Sequence, residues 1–185
     1  LWQDGSTAAT FTAITAGTCT VDVTVNGCTS SDAITVANHT LPVVALGADI
    51  DACVGDVVPL SVSIPGASYL WSTGAVTASI TTSMPGTYSV QVTVNGCSAS
   101  DAMDLTNHAL PVFDLGPDQT ICAGTSTSFS ATVAGATYAW STGAGTNSIT
   151  TGTAGTYWLD VTTNGCTARD SVDLFVTPLP VVDPG

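Results

Sequence analysis

Short runs in which apolar and polar residues alternate fill this chain, and turn residues separate them. The run at 87–94 is the clearest, since one face would carry a tyrosine and three valines and the other face serine, glutamine and threonine. A period of two places alternate side chains on opposite faces of a β-strand. The run therefore predicts a strand whose buried face is formed by Tyr88, Val90, Val92 and Val94.

Asn95 and Gly96 separate this strand from a second alternating run that begins at Cys97. An Asn-Gly pair between alternating strands is the strongest short-range signal of a β-hairpin, because both residues tolerate positive φ. A two-residue turn also fixes the register of the hairpin. It predicts three facing pairs, which are Val94 with Cys97, Val92 with Ala99, and Val90 with Asp101.

The stretch 41–109 contains about seven extended runs, punctuated by Gly, Pro and Asn. The runs are residues 41–46, 50–54, 57–64, 69–71, 76–82, 87–94 and 97–106. Many short strands around a central tryptophan, Trp71, predict a small immunoglobulin-like β-sandwich in an all-β protein. Tyr88 follows Gly86 and Thr87 at the start of a strand, which predicts a tyrosine corner, where the phenol hydroxyl hydrogen-bonds to an upstream loop.

The same pattern recurs about every 69 residues, which is in the range of tandem β repeats, and no insertion interrupts it. Trp2, Trp71 and Trp140 share one constant spacing, and Cys28, Cys97 and Cys166 share the same one. A constant period predicts tandem domains, each of which packs mainly against its neighbours. We divide the chain into the C-terminal half of a repeat at 1–40, complete repeats at 41–109 and 110–178, and the start of another repeat at 179–185.

The half repeat at 1–40 is poorly equipped to bury a core by itself, because so short a segment encloses little apolar surface. Two explanations are open. The chain is a window of a longer protein, or another chain completes the half repeat.

The surface is acidic and almost free of cations. The chain has 14 Asp, no Glu, no Lys and a single arginine, Arg169, which gives a net charge of −13. Such a surface repels phosphates and anionic lipids, and no run of 18 apolar residues occurs, so we predict no nucleic-acid partner and no membrane insertion. Thr (32) and Ser (18) make up more than a quarter of the residues, which favours strands and turns.

Three motifs resemble those of a known family. They are the run from Gly86 to Asp101, the Trp-Ser-Thr-Gly at 71 and 140, and the Leu-Gly-x-Asp at 115–118. They resemble the immunoglobulin-like and PKD-like tandem repeats of large secreted surface adhesins of Bacteroidota, including gliding-motility-type adhesins. The resemblance covers essentially the whole chain. It implies export by a type IX pathway and an extracellular location on the bacterial cell surface.

The cysteines predict disulfide bonds, which suit an oxidising location. Cys53 and Cys97 have the same spacing as Cys122 and Cys166, so each complete repeat holds one pair in the same positions. Two cysteines with no histidine near them cannot fill a four-coordinate zinc site. We therefore predict Cys53–Cys97 and Cys122–Cys166 bonds, each worth about 4 kcal/mol in the chain-entropy model.

Two further cysteines lie in the half repeat. The spacing of the predicted pairs gives Cys28 a partner outside the chain. Cys19 takes the place that Tyr88 has in the next repeat, and its parity is inward. This position predicts that the thiol of Cys19 is buried and packs as a small apolar side chain. The alternative is a thiol bonded to the missing half of the domain.

One aspartate in each repeat has inward parity, at Asp32, Asp101 and Asp170. A carboxylate in such a place must be satisfied, so we expect it to accept hydrogen bonds from the backbone and the corner loop. The alternative is that Asp101 and Asp170 are Ca²⁺ ligands near the domain junction, with Asp49 and Asp118 as partners.

Three surface positions are candidates for sugar chemistry. Trp158 lies on an outward face, where it could bind a glycan, contact a neighbouring domain or cover a long side chain. Asn38 begins an Asn-His-Thr sequon for N-glycosylation, and Ser171 lies in an Asp-Ser-Val sequence that resembles the O-glycosylation acceptor of Bacteroidota.

No catalytic constellation is evident, since His39 and His108 belong to the repeated pattern and predict packing at domain junctions. We predict that the chain is not an enzyme. It would be a structural or adhesive segment of a long extracellular bacterial filament or stalk, stapled by disulfides against extension, with neighbouring repeats and like chains as partners. The alternative is a glycan- or Ca²⁺-binding accessory module of a larger secreted adhesin or enzyme.

Overall fold

The computed structural model describes residues 1–182 of the 185-residue chain, and its regular elements are all β-strands. Among these residues there is no helix long and apolar enough to cross a membrane. The half repeat contains β1 (Gly17–Val25) and β2 (Cys28–Val36). The first complete repeat contains β3 (Ile50–Cys53), β4 (Val58–Ser61), β5 (Ser68–Trp71), β6 (Ser79–Thr82), β7 (Gly86–Val94) and β8 (Cys97–His108). The second contains β9 (Gln119–Cys122), β10 (Thr127–Ser130), β11 (Thr137–Trp140), β12 (Ser148–Thr151), β13 (Gly155–Thr163) and β14 (Cys166–Thr177).

Each complete repeat is a sandwich of two sheets. In the first, four strands lie in the order β3-β8-β7-β5, and β4 and β6 form a second sheet. The pairs within these sheets are antiparallel, except that β3 runs parallel to β8. The second repeat has the same topology, with β9 parallel to β14. The predicted all-β, immunoglobulin-like architecture is confirmed.

Each complete repeat has six strands, whereas the sequence predicts about seven. The difference lies in residues 41–46, which join no ladder. The backbone N–H of Leu46 donates instead to a carboxylate oxygen of Asp101 at 2.8 Å, and the side chains of Val44 and Leu46 pack against the core. A side-chain acceptor and apolar contacts hold this segment, so it needs no backbone partner.

The Asn-Gly turns set the hairpin register as predicted. Asn95 and Gly96 have φ angles of 50° and 81°, which a two-residue turn of this kind requires. The three predicted facing pairs are observed, and the hairpins β1-β2 and β13-β14 have the equivalent register. The alternation of β7 therefore directs Tyr88, Val90 and Val92 into the core.

The core of each complete repeat lies between its two sheets and includes the repeated tryptophan. Trp71 is 2% exposed, and its indole N–H donates to the carbonyl oxygen of Thr77 at 2.8 Å, so its polar atom is satisfied within the domain. Val90 and Val92 are fully buried beside it. Burial of an apolar side chain of this size contributes about 1.5–3 kcal/mol.

The predicted tyrosine corner is present in both complete repeats. The hydroxyl of Tyr88 donates to the carbonyl oxygen of Met84 at 2.8 Å and also hydrogen-bonds to the hydroxyl of Thr82. Tyr157 makes the equivalent contact with Thr153 at 2.8 Å. The corner joins the start of β7, in the four-stranded sheet, to the loop that follows β6, in the two-stranded sheet. It therefore links the two sheets.

The half repeat is a single hairpin with one bridge, from Trp2 to Val21. Its apolar side chains lack the sheet that covers their counterparts. Val23 and Ile34 are 56% and 67% exposed, whereas Val92 and Met103, which take their places in the next repeat, are 0% and 2% exposed. Cys19 is buried at 7%, as its inward parity predicts.

We expect Tyr88→Phe to destabilise the first complete repeat, because it leaves the Met84 carbonyl oxygen and the Thr82 hydroxyl without their shared partner. The loss of a half-buried hydrogen-bond network of this kind lowers the free energy of unfolding by about 1–3 kcal/mol. Urea denaturation followed by tryptophan fluorescence measures the change.

Thr93→Val is the matched control, since the Thr93 hydroxyl bonds only to Ser98 on the outer face of the sheet. It should change the free energy of unfolding by less than about 0.5 kcal/mol. If both substitutions had the same effect, the corner would not be a tie between the sheets.

Candidate functional site

The strongest candidate for a functional site is the place where one complete repeat meets the next. β3 pairs with the C-terminal part of β8, from Ile50 opposite Leu105 to Cys53 opposite His108. Because the pairing is parallel, Cys53 lies at the end of β8 that leads into the next repeat. Cys97 lies at the other end, where β8 begins.

Cys53 is bonded to Cys166 of the next repeat, with their Cα atoms 5.6 Å apart and a sequence separation of 113. The predicted Cys53–Cys97 and Cys122–Cys166 pairs are therefore wrong, and Cys97 and Cys122 are free thiols. The bond joins two domains and does not staple a single one. Cys166 is 1% exposed, so the domain junction covers its side of the bond.

Strand geometry excludes the pairing that the sequence spacing predicts. β8 is 12 residues long, which puts its two ends roughly 35 Å apart at about 3.3 Å per residue. A disulfide requires Cα atoms within about 7 Å. The spacing itself could not decide between the two pairings, because Cys97 and Cys166 occupy the same place in successive repeats.

Backbone and side-chain contacts around His108 fix the position of Cys53. The carbonyl oxygen of His108 accepts the N–H of Val54 at 2.9 Å, and its imidazole Nε2 lies 3.1 Å from a carboxylate oxygen of Asp51. The Sγ of Cys166 is 3.8 Å from the same carbonyl oxygen. His108 therefore contacts both repeats, as its predicted place at a junction implies. The carbonyl oxygen of His39 makes the equivalent contact with Cys97, although the His39 residue is exposed.

The free thiols have different surroundings. Cys97 is half-buried, and its Sγ lies 3.7 Å from the carbonyl oxygen of His39. Cys28 and Cys122 are exposed. A partner for Cys28 outside the chain stays a prediction. Cys19 and Cys28 do not face each other, since Cys19 pairs with Ile34 and Cys28 with Val25.

The four aspartates predicted as calcium ligands act as acceptors for backbone N–H groups. Asp101 and Asp170 bind the N–H groups of Leu46 and Leu115 at 2.8 Å. Asp49 and Asp118 bind those of Asp104 and Asp173 at 2.9 Å. Within residues 1–182, no three His, Cys or Asp side chains converge as a metal site would need. Calcium binding stays a prediction, and an ion would compete with these hydrogen bonds.

The single arginine covers the candidate glycan platform. The guanidinium carbon of Arg169 lies 3.8 Å from the ring centroid of Trp158, a cation–π geometry. The same guanidinium donates two hydrogen bonds to Asp160, at 2.6 and 2.7 Å. Three interpretations were offered for Trp158, and the structure supports the one in which its ring packs against a long side chain, that of Arg169. A sugar could use this face of the ring only by displacing Arg169.

The remaining candidates are exposed polar positions. Asn38 and Ser171 are both accessible, and their glycosylation stays a prediction. A shallow groove of about 490 Å³ runs along β6, lined by Thr and Ser hydroxyls with Ala75 and Ile80. Its lining contains no acid or base. The domain junction therefore remains the site with the most specific chemistry.

Comparisons with solved structures found tandem immunoglobulin domains at low identity. Extracellular domains 3–5 of Drosophila OTK are 12% identical, with 88% of this chain and 71% of that chain covered and a TM-score of 0.45. Immunoglobulin domains 1–4 of Sidekick-1 are 15% identical, with 90% and 60% covered and a TM-score of 0.40. A chimeric titin Z1Z2-Z1Z2 tandem is 18% identical, with 70% and 95% covered and a TM-score of 0.35. No family model and no curated protein matches the chain.

We expect the stability of the second repeat to depend on pH through Asp160. Its hydrogen bonds from Arg169 hold the pKa of that carboxyl below the usual value of 3.8. A carboxyl whose pKa is lower in the folded state stabilises the fold above the unfolded pKa, and this contribution is lost as the pH falls through the lower, folded pKa. NMR titration of the Asp160 carboxyl carbon should show the low pKa directly.

Two variants separate the causes of this shift. Arg169→Gln removes the charge and the paired donors, so the pKa of Asp160 should rise to near its usual value. Arg169→Lys keeps the charge without the planar pair of donors, so the pKa should rise only in part. A pKa that stayed unchanged in Arg169→Gln would contradict the ion pair.

Proposed function

We propose that this chain is a structural segment of a long extracellular filament or stalk on a bacterial surface, and that disulfides between its domains make the segment resist extension. The observation that carries the proposal is the Cys53–Cys166 bond. Most disulfides of small extracellular domains close a loop within one domain. This bond couples one domain to the next, which is useful where force must pass along an array.

The bond offers tension a short route through two domains. A force that enters from the N-terminal side reaches Cys53 in β3, near the start of the first complete repeat. It can then cross to Cys166 at the start of β14, the last strand of the second. The residues between the two cysteines, including Trp71 and Trp140, are outside this route. The load therefore falls on β3 and β14, and the other strands of both sandwiches are shielded from it.

The rest of the chain suits an extracellular array. Disulfides persist in oxidising compartments and are rare in the cytosol. Repetition of one rigid unit supplies length, and the resemblance to repeats of Bacteroidota surface adhesins supports a bacterial surface as the location. A net charge of −13 with one arginine keeps such chains soluble and apart, unless a specific contact joins them.

The mechanical role predicts different extensions for the oxidised and the reduced chain. Between handles at its two ends, the oxidised chain should not release the segment enclosed by the disulfide. A sequence separation of 113 corresponds to roughly 400 Å of contour length at about 3.5 Å per residue, and reduction should release it as two further unfolding steps. Single-molecule stretching with and without a reductant measures both cases.

Cys53→Ser should give the long steps even without reductant, because it removes the bond. Cys122→Ser is the control, since Cys122 occupies the same place in the next repeat but carries no bond within the chain. It should behave as the oxidised wild type. Long steps of equal number and length in the oxidised and reduced chains would refute the mechanical role.

A further inference from the structure

Three side chains with reactive chemistry share the outer face of the sheet beside the disulfide. Asp51 and Cys53 flank Ala52, which is buried in the core, so both point to the opposite face of β3. Cys53 lies opposite His108 of β8 in the parallel register, on neighbouring strands about 4.8 Å apart. The outer face therefore holds a carboxylate, an imidazole and a sulfur in one group.

Asp51 holds the imidazole of His108 in one orientation. A carboxylate oxygen of Asp51 lies 3.1 Å from Nε2 of the ring. A carboxylate at Nε2 keeps the ring proton on that nitrogen, so Nδ1 is left as the basic one. The side chain of His108 is 28% exposed, so solvent still reaches the ring. A base that a third group orients beside a nucleophile is the arrangement that activates thiols.

The two sulfurs of the disulfide have different surroundings. Cys53 is half-buried, and its backbone N–H donates to a carboxylate oxygen of Asp56 at 3.0 Å. Cys166 is 1% exposed, and its Sγ lies 3.8 Å from the carbonyl oxygen of His108. In the reduced chain that oxygen can accept a hydrogen bond only from a protonated sulfur, so this site favours the thiol of Cys166 over its thiolate. Cys53 is thus the sulfur that an oxidant reaches first.

The next repeat has the same strand end without the same group. Cys122 ends β9 as Cys53 ends β3, and both strands pair parallel with the last strand of their repeat. Thr120 and Thr177 take the places of the aspartate and the histidine there. The strand pairing therefore forms without a carboxylate and an imidazole, so these two side chains are not a requirement of the fold.

We propose that His108 is the proton acceptor for Cys53 when the Cys53–Cys166 bond forms, that Asp51 positions the imidazole for this role, and that Cys53 is the cysteine that reacts first. This inference rests on the proposed function and deepens it, because it says how the bond between the domains is made. Its failure would leave the bond and its mechanical role intact.

Bond formation is a pair of thiol–disulfide exchanges with a small disulfide, for which oxidised glutathione is the probe. His108 takes the thiol proton of Cys53, and the thiolate attacks one sulfur of the probe, whose S–S bond breaks. The first glutathione leaves as a thiolate and takes up the proton from His108. Cys166 then attacks the sulfur of Cys53, and the second glutathione leaves with the proton that Cys166 loses. Two protein thiols are oxidised, and one glutathione disulfide is reduced to two thiols.

The first test compares Cys53 with Cys122 in one chain. Cys166→Ser removes the second exchange, so oxidised glutathione leaves mixed disulfides on the reduced chain, and peptide mapping by mass spectrometry measures them at each cysteine. An ordinary thiol is only a few per cent thiolate at pH 7, so a proton acceptor can speed its reaction by about tenfold. We expect Cys53 to react about tenfold faster than Cys122, although Cys122 is the more exposed. A rate at Cys122 equal to or above that at Cys53 would refute the proposal.

Two histidine variants in the same background identify the acceptor. His108→Ala should lower the rate at Cys53 to that of Cys122 or below, and free imidazole in the solution should restore part of it. A histidine with only a packing role would give no such rescue. His39→Ala is the matched control, because His39 has the equivalent place in the half repeat, and it should leave the rate at Cys53 unchanged. A rate that did not fall in His108→Ala, or that imidazole did not restore, would count against the acceptor.

Asp51→Asn tests the positioning role. The amide keeps the size of the side chain but loses the charge that holds the proton on Nε2 of His108. The rate at Cys53 should fall between that of the Cys166→Ser background and that of the same background with His108→Ala. An unchanged rate would show that the carboxylate does not position the ring.

Chains with both cysteines separate this inference from the proposed function. His108→Ala should form the Cys53–Cys166 bond slowly, and once oxidised it should resist stretching as the wild type does. A bond that formed as fast in His108→Ala as in the wild type would refute only the inference, whereas a wild-type chain that never formed the bond would refute both. A first mixed disulfide on Cys166 would overturn the order of the two exchanges.

Discussion

The parallel pairing of β3 with the end of β8 is the constraint on which the rest of the structure depends. It closes one edge of the main sheet and buries Ala52 in the core. It also carries Cys53 to the end of the domain that meets the next one. An antiparallel strand in the same place would point its last residue back towards Cys97. The direction of one four-residue strand therefore decides whether the cysteines close a domain or join two.

Carboxylates take a structural part in this arrangement. Asp101 and Asp170 each lie in the last strand of a repeat, and each carboxylate accepts the backbone N–H of the segment that leads into the first strand of the same repeat, β3 or β9. They satisfy a backbone group that has no ladder partner, which is a common need where a chain enters a sheet. Asp101 thus positions the strand that carries the bonded Cys53, and Asp170 positions β9, whose Cys122 is a free thiol.

Most of the local structure was predictable because it depends on neighbouring residues. The turn at Asn95 and Gly96 fixes the register of its hairpin, and the alternation in β7 fixes which residues enter the core. Tyr88 binds an oxygen only four residues away. The sequence offered a long side chain against Trp158 but did not identify it as Arg169. The register of β13 and β14, with Trp158 opposite Ser171 and Asp160 opposite Arg169, could have suggested both contacts of the guanidinium.

The sequence by itself determined the constant repeat period, the all-β immunoglobulin-like repeat, the hairpins and the inward face of each strand, because these follow from turn chemistry and from an alternation that one strand carries alone. Only the tertiary structure decided the pairing of the cysteines. In a periodic chain, a partner in the same repeat and a partner in the next are equally consistent with the spacing. The choice depends on the direction in which β3 lies along β8, and that direction is set by packing across the whole sheet.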